Sequence, residues 1–119
     1  MLIDHLRGRS DEATELLTHA VTRGDELWSS HVVQAELLAG MRPAEEAATR
    51  GLIATITWAV VDAVAAEDAG ALGRRYLRSH PGIGIPDLII AALVQRLGAA
   101  LKTTNVKHFP MFEGLQPAY

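Results

Sequence analysis

Cysteine is absent from this 119-residue chain, which excludes a disulfide framework and every thiolate-bound zinc site, and suits a reducing cytosol. No apolar run approaches the roughly 20 residues that a membrane-spanning helix needs. Asp4, His5, Arg7 and Arg9 interrupt the amino-terminal stretch where a secretory signal would carry its apolar centre. A surplus of basic charge is missing too: 11 Lys and Arg against 14 Asp and Glu give a formal net charge of −3. That balance argues against a protein relying on a broad basic surface for non-specific nucleic-acid binding, but leaves open an enzyme that handles nucleic acid through metal ions. There is no repeat, linker or low-complexity tract. What is present is a hydrophobic share of 49%, enough for a real core and enough to exclude wholesale disorder. The expectation is one compact, soluble, cytoplasmic, α-rich domain.

Local patterns divide the chain into helices and short strands. Leu2 to Gly8 reads as a helical turn. Ser10 then reads as an N-cap, with Asp11 and Glu12 favouring the start of a helix that Gly24 closes. Glu26 to Ser29 is a strand candidate, and helical spacing returns from Val32 to Met41. Pro43 starts a further helix, from Ala44 to about Ile53. Thr57 to Val61 is β-branched and aromatic enough for a second strand. Asp62 precedes a long helix from about Val64 to Ser79, and Pro86 opens an almost wholly apolar helix from Asp87 to Leu97 that Gly98 ends. Ala99 to Thr103 reads as a third strand, with a last short one near Leu115. This alternation predicts an α/β domain with a small, mostly parallel sheet, whose functional crevice lies beyond the carboxyl ends of the strands.

Three residues stand out against that frame. Asp87 is the only charge between Ile83 and Val94, and a lone carboxylate on so apolar a helix is costly to bury without a partner. It either complements the helix dipole from the first turn or binds a metal ion that supplies the missing charge. Glu36 sits among Val32, Val33, Ala35, Leu37 and Leu38, either as a partly exposed acid paired with a residue such as Arg42 or as a second ligand. Asn105 follows the third strand candidate, where Asn is a common turn former. In a parallel sheet, Asn105, Glu36 and the amino end of the Asp87 helix would share one edge. Oxygen donors without Cys or paired His suit Mg²⁺ or Mn²⁺ better than zinc. The five histidines read as ordinary surface or capping residues.

Three segments occur in order: Val33-Gln34-Ala35-Glu36-Leu37-Leu38-Ala39-Gly40, Ile85-Pro86-Asp87-Leu88-Ile89-Ile90-Ala91-Ala92 and Thr103-Thr104-Asn105-Val106-Lys107-His108-Phe109. They resemble the three later motifs of the PIN domain, closely those of VapC-type toxins of prokaryotic toxin–antitoxin pairs, and Leu2 to Gly8 resembles the end of the first. The resemblance covers essentially the whole chain. It implies a three-layer α/β/α sandwich and acidic residues holding Mg²⁺ for phosphodiester hydrolysis of RNA. Carried over motif by motif, Glu36 and Asp87 are the metal-binding acids. Asn105 stands where the family places an Asp or Asn, with Thr103 as a neighbouring polar group that orients it. The resemblance further implies a homodimer and a cognate VapB-like antitoxin that inserts a cation, often Arg, among the carboxylates.

One departure counts against a complete site. The family begins with a hydrophobic strand ending in Asp-Thr-Ser or similar, and nothing precedes Met1 here, so that strand and the first metal-binding Asp are expected to be missing. Asp4 matches a later, non-ligand acid of the motif. Three readings follow: a late start of the reading frame, a natural truncation without activity, or Asp4 moving into the vacancy. The first is favoured because Glu36 and Asp87 are intact. The rival function is a catalytically inactive PIN-like module that dimerises and binds an antitoxin. Arg74, Arg75 and Arg78, with Arg7, Arg9, Lys102 and Lys107, are either a solvated surface or local guides for an RNA backbone.

Overall fold

The computed structural model describes residues 11–119. The expected turn at Leu2 to Gly8, the Ser10 cap, Asp4, Arg7 and Arg9 lie outside the described residues. Two compact units are present: the described residues up to Ala59 together with Ala118–Tyr119, and Val60–Pro117.

The first unit opens with helix α1, Asp11–Arg23. Gly24 ends it at φ 84, a left-handed conformation that glycine adopts without steric cost. The Gly24 N–H donates to the Val21 carbonyl at 3.1 Å and the Asp25 N–H to the Ala20 carbonyl at 2.9 Å, so two carbonyls left over at the helix end are satisfied. Strand β1, Trp28–Ser30, runs directly into α2, His31–Gly40. Ser30 makes that junction abrupt: it is buried, and its hydroxyl accepts from the Val33 N–H at 3.4 Å as the helix N-cap. A 3₁₀ turn at Pro43–Glu45 leads into α3, Glu46–Thr55. Strand β2, Thr57–Ala59, pairs parallel with β1, placing Trp28 opposite Thr57, Ser29 opposite Trp58 and Ser30 opposite Ala59. Trp58 stacks on His31 at 6.2 Å and donates its indole N–H to the Ile53 carbonyl at 3.1 Å.

The second unit is built on α4, Ala63–Tyr76, and α5, Ile85–Leu97, which pack together. Ala65, Ala69 and Gly73 recur every fourth residue on α4 and are all buried, giving a face of small residues that lets another helix approach closely. Ala69, Ile83, Leu88 and Ala92 form the buried core of this unit, with Leu72, Tyr76, Leu77, Ile89 and Met111 packed around it. A Cβ added at Gly73 would stand 3.2 Å from Leu88 Cδ1, a measure of how closely the Leu88 side chain approaches α4.

Asp62 caps α4 by accepting from the Ala65 N–H at 2.9 Å. It also accepts from Arg96, in the last turn of α5, at 3.1–3.3 Å. The Arg96 guanidinium, and next the Ala65 N–H, hold the Asp62 carboxyl below its ordinary range.

A helix-rich α/β fold with a parallel sheet is therefore what the chain forms, but two of the expected strands are not among the described elements. Ala99 to Thr103 is irregular because its first N–H is already used: Gly98 at φ 62 closes α5, and the Ala99 N–H returns to the Val94 carbonyl at 3.2 Å. The stretch near Leu115 is likewise turn and coil. Helix α5 starts at Ile85, two residues before the expected Asp87, because Pro86 is accommodated in the first turn where no intrahelical N–H is needed.

Candidate functional site

Asp87 occupies the third position of α5, and that position explains its environment. Its backbone N–H donates to the Gly84 carbonyl at 3.1 Å, while its own Oδ2 accepts from the Gly84 N–H at 3.3 Å. The carboxylate thus caps the helix reciprocally and complements its dipole, so the simpler of the two sequence readings holds for this oxygen. The expected isolation of the charge does not. The Asp87 side chain is 27% exposed, and the imidazole Nδ1 of His108 lies 3.2 Å from the same Oδ2, an ion pair when the ring is protonated. No protein group bonds to Oδ1 among the described residues.

His108 arrives through a 3₁₀ turn, Val106–His108. The His108 N–H donates to the Asn105 carbonyl and the Phe109 N–H to the Val106 carbonyl, both at 3.0 Å. Phe109, only 3% exposed, anchors the end of that turn. Asn105 is exposed and stands at the start of the turn as its cap. The Thr103 hydroxyl accepts from the Asn105 backbone N–H at 3.1 Å, so Thr103 orients the backbone of Asn105 rather than its amide. Asp87, His108, Asn105 and Thr103 all belong to the second unit.

Glu36 belongs to the first unit, on α2 immediately before the buried Leu37. It is exposed and makes no ion pair among the described residues. The expected pairing with Arg42 is not formed: Arg42 turns to Glu45, its Nε 3.7 Å from Oε1 and its backbone N–H donating to the same oxygen at 3.0 Å. A shared sheet edge for Glu36 and Asn105 required a strand before Asn105, and residues 99–103 form none. Among the described residues no group of three or more His, Asp or Glu is arranged to hold a metal ion.

Asp87 is a candidate from the sequence, whereas His108, which the sequence groups with the other histidines as an ordinary surface or capping residue, is the partner that the structure places beside it. The available signal was its place beside an aromatic residue in the Asn105 to Phe109 segment. Arg74 and Arg78 are exposed, as expected of either reading of the basic cluster, and the Arg75 guanidinium lies over the Tyr76 ring at 5.3 Å. Lys102 and Lys107, which flank Asn105 in the chain, are exposed as well. No described helix is long and apolar enough to cross a membrane.

Residues 1–110 match the sequence profile of the PIN domain. The chain is 44% identical over 117 residues to Ribonuclease VapC19 of Mycobacterium tuberculosis (strain ATCC 25618 / H37Rv), covering 98% of this chain and 93% of the relative. It is 43% identical over 119 residues to Ribonuclease VapC10 of the same strain, covering 100% of this chain and 88% of the relative.

Proposed function

Because the chain belongs to the PIN-domain family, we propose that it is a Mg²⁺-dependent endoribonuclease toxin of the VapC type, cutting RNA by metal-assisted phosphodiester hydrolysis. We take its two compact units as parts of one catalytic domain, since the family match runs through both. The observation that carries the reading is Asp87: a carboxylate on a helix that is apolar from Leu88 to Val94, tied down through Oδ2, with Oδ1 bonded by no protein group among the described residues, in a chain nearly as long as a ribonuclease at 44% identity.

The donor chemistry fits a hard divalent cation. Asp87 and Glu36 offer carboxylate oxygens, Asn105 offers an amide oxygen, and the chain has no sulfur ligand of the thiolate kind. Asp87 and Glu36 are the residues assigned to hold Mg²⁺, with Mn²⁺ as a substitute. When bound, such an ion supplies an activated water and offsets charge on the scissile phosphate and the leaving oxygen.

The protein's own contributions follow from its local structure. Oδ2 of Asp87 is fixed by the α5 cap, so the carboxylate is oriented before any ligand arrives. Glu36 contributes charge that no ion pair among the described residues competes for. Asn105 assists as an uncharged donor to the ion or to a water. Lys102 and Lys107 contribute positive charge for the RNA backbone, while a net charge of −3 keeps such contacts local and leaves selectivity to RNA shape and single-stranded elements.

A VapB-type antitoxin as neutralising partner, a homodimer and a cytoplasmic setting complete the proposal. Val60, Val64 and Ile85 are exposed on the second unit and supply apolar surface that a partner would cover.

The test is RNA cleavage by the chain with Mg²⁺ or Mn²⁺, with chelator, and with Asp87→Asn, which keeps the size and capping oxygen of the side chain. Cleavage is expected with metal and lost in the other two conditions, the variant still folding. Cleavage by Asp87→Asn at the wild-type rate would overturn the assignment. Intact RNA together with tight antitoxin binding would mark a binding module instead.

A further inference from the structure

We infer that His108 is a positioning residue for Asp87, holding one carboxylate oxygen so that the other is presented to the divalent cation; the inference rests on the functional reading above. Helix capping alone would account for the Gly84 N–H at 3.3 Å from Oδ2. It does not account for a second group on the same oxygen, the His108 Nδ1 at 3.2 Å, contributed by a segment 21 residues further along the chain. With two approaches on Oδ2 and no protein bond to Oδ1 among the described residues, the carboxylate is asymmetric, and rotating it to exchange its oxygens would break both contacts.

The ring is itself constrained. His108 closes the 3₁₀ turn Val106–His108, and the neighbouring Phe109 is buried. Side-chain exposures of 29% for His108 and 27% for Asp87 place the pair between core and open surface, where charges are screened less than on a fully exposed face. Partners of this outer kind orient a ligating carboxylate, and their loss typically weakens metal affinity by about 10–100-fold.

The experiment is Mn²⁺ binding by the full chain, read from the free-ion electron paramagnetic resonance signal, for wild type, Asp87→Asn, His108→Ala, His108→Asn and His108→Gln. An Asn amide nitrogen overlies Nδ1 of histidine, whereas a Gln amide nitrogen overlies Nε2, so the two amides separate the contact from mere bulk. His108→Ala and His108→Gln are expected to weaken Mn²⁺ binding by about 10–100-fold, and His108→Asn to recover most of it. If the alanine variant does not fold, the comparison of Asn with Gln carries the test alone. Equal weakening in all three His108 variants would overturn the inference and leave His108 a packing residue. Wild-type binding by His108→Ala, with binding lost in Asp87→Asn, would overturn it while sparing Asp87 as a ligand. Unchanged binding in Asp87→Asn would overturn both the inference and the assignment of Asp87.

Discussion

The two assigned acids differ in what surrounds them, and that difference fixes how each responds to mutation. Glu36 is exposed and free of ion pairs among the described residues, so its charge contributes little to folding. Glu36→Gln is expected to leave the melting temperature unchanged and to lower metal-dependent RNA cleavage by more than about 100-fold, beyond the cost of losing an outer-shell partner. Asn105→Ala, which removes a neutral group, is expected to reduce the cleavage rate less than either acid. Both are checked by parallel cleavage rates and thermal melts; a Glu36 variant that cleaves normally would remove it from the site. Asp87 was legible in the sequence because one charge among apolar residues is a local anomaly. Its partner was not, because a histidine 21 residues away reaches it only through the tertiary path of a loop, which no helical or strand period encodes.

Helices were legible where a start and a stop signal flank a periodic stretch, as for α5 between Pro86 and Gly98, whereas α4, expected to reach Ser79, ends at Tyr76. The strand expected at Ala99 to Thr103 was not, because apolar composition does not reveal how backbone groups are spent: the Ala99 N–H closes α5, and the Thr103 hydroxyl takes the Asn105 N–H. The packing of α4 on α5 gives a direct stability test. Leu88, 1% exposed, lies at its centre, and Leu88→Ala is expected to cost about 2–5 kcal/mol in urea unfolding; a loss near zero would contradict the described packing.

The tie between these helices also predicts a pH response. Because the folded Asp62 carboxyl is held below its ordinary range, its pairing with Arg96 stabilises the fold above the unfolded carboxylate value of about 4 and is lost as pH falls through the lower folded value. Asp62→Asn keeps a capping oxygen and removes the charge. Its melting temperature is expected to lie below wild type near neutral pH and to converge with it in strong acid. A constant difference across that range would show the charge to be irrelevant.

For the molecule as a whole, the family was legible from four motifs in order, the first only by its end, and the matched profile over residues 1–110 bears that out. The acidic balance agrees with the proposal that contacts to RNA are local. Sedimentation equilibrium is expected to give twice the 12.8 kDa chain mass, and a monomer at all concentrations would remove the homodimer from the proposal.

The most direct test of the central claim is the chemistry of the cut ends. Cleavage in ¹⁸O-labelled water with Mg²⁺, read by mass spectrometry of the fragments, separates attack by water from attack by the neighbouring 2′-hydroxyl. Hydrolysis predicts one labelled oxygen in the terminal phosphate, no 2′,3′-cyclic phosphate, and no products in chelator. Cyclic phosphate ends that persist in chelator would contradict metal-assisted hydrolysis altogether.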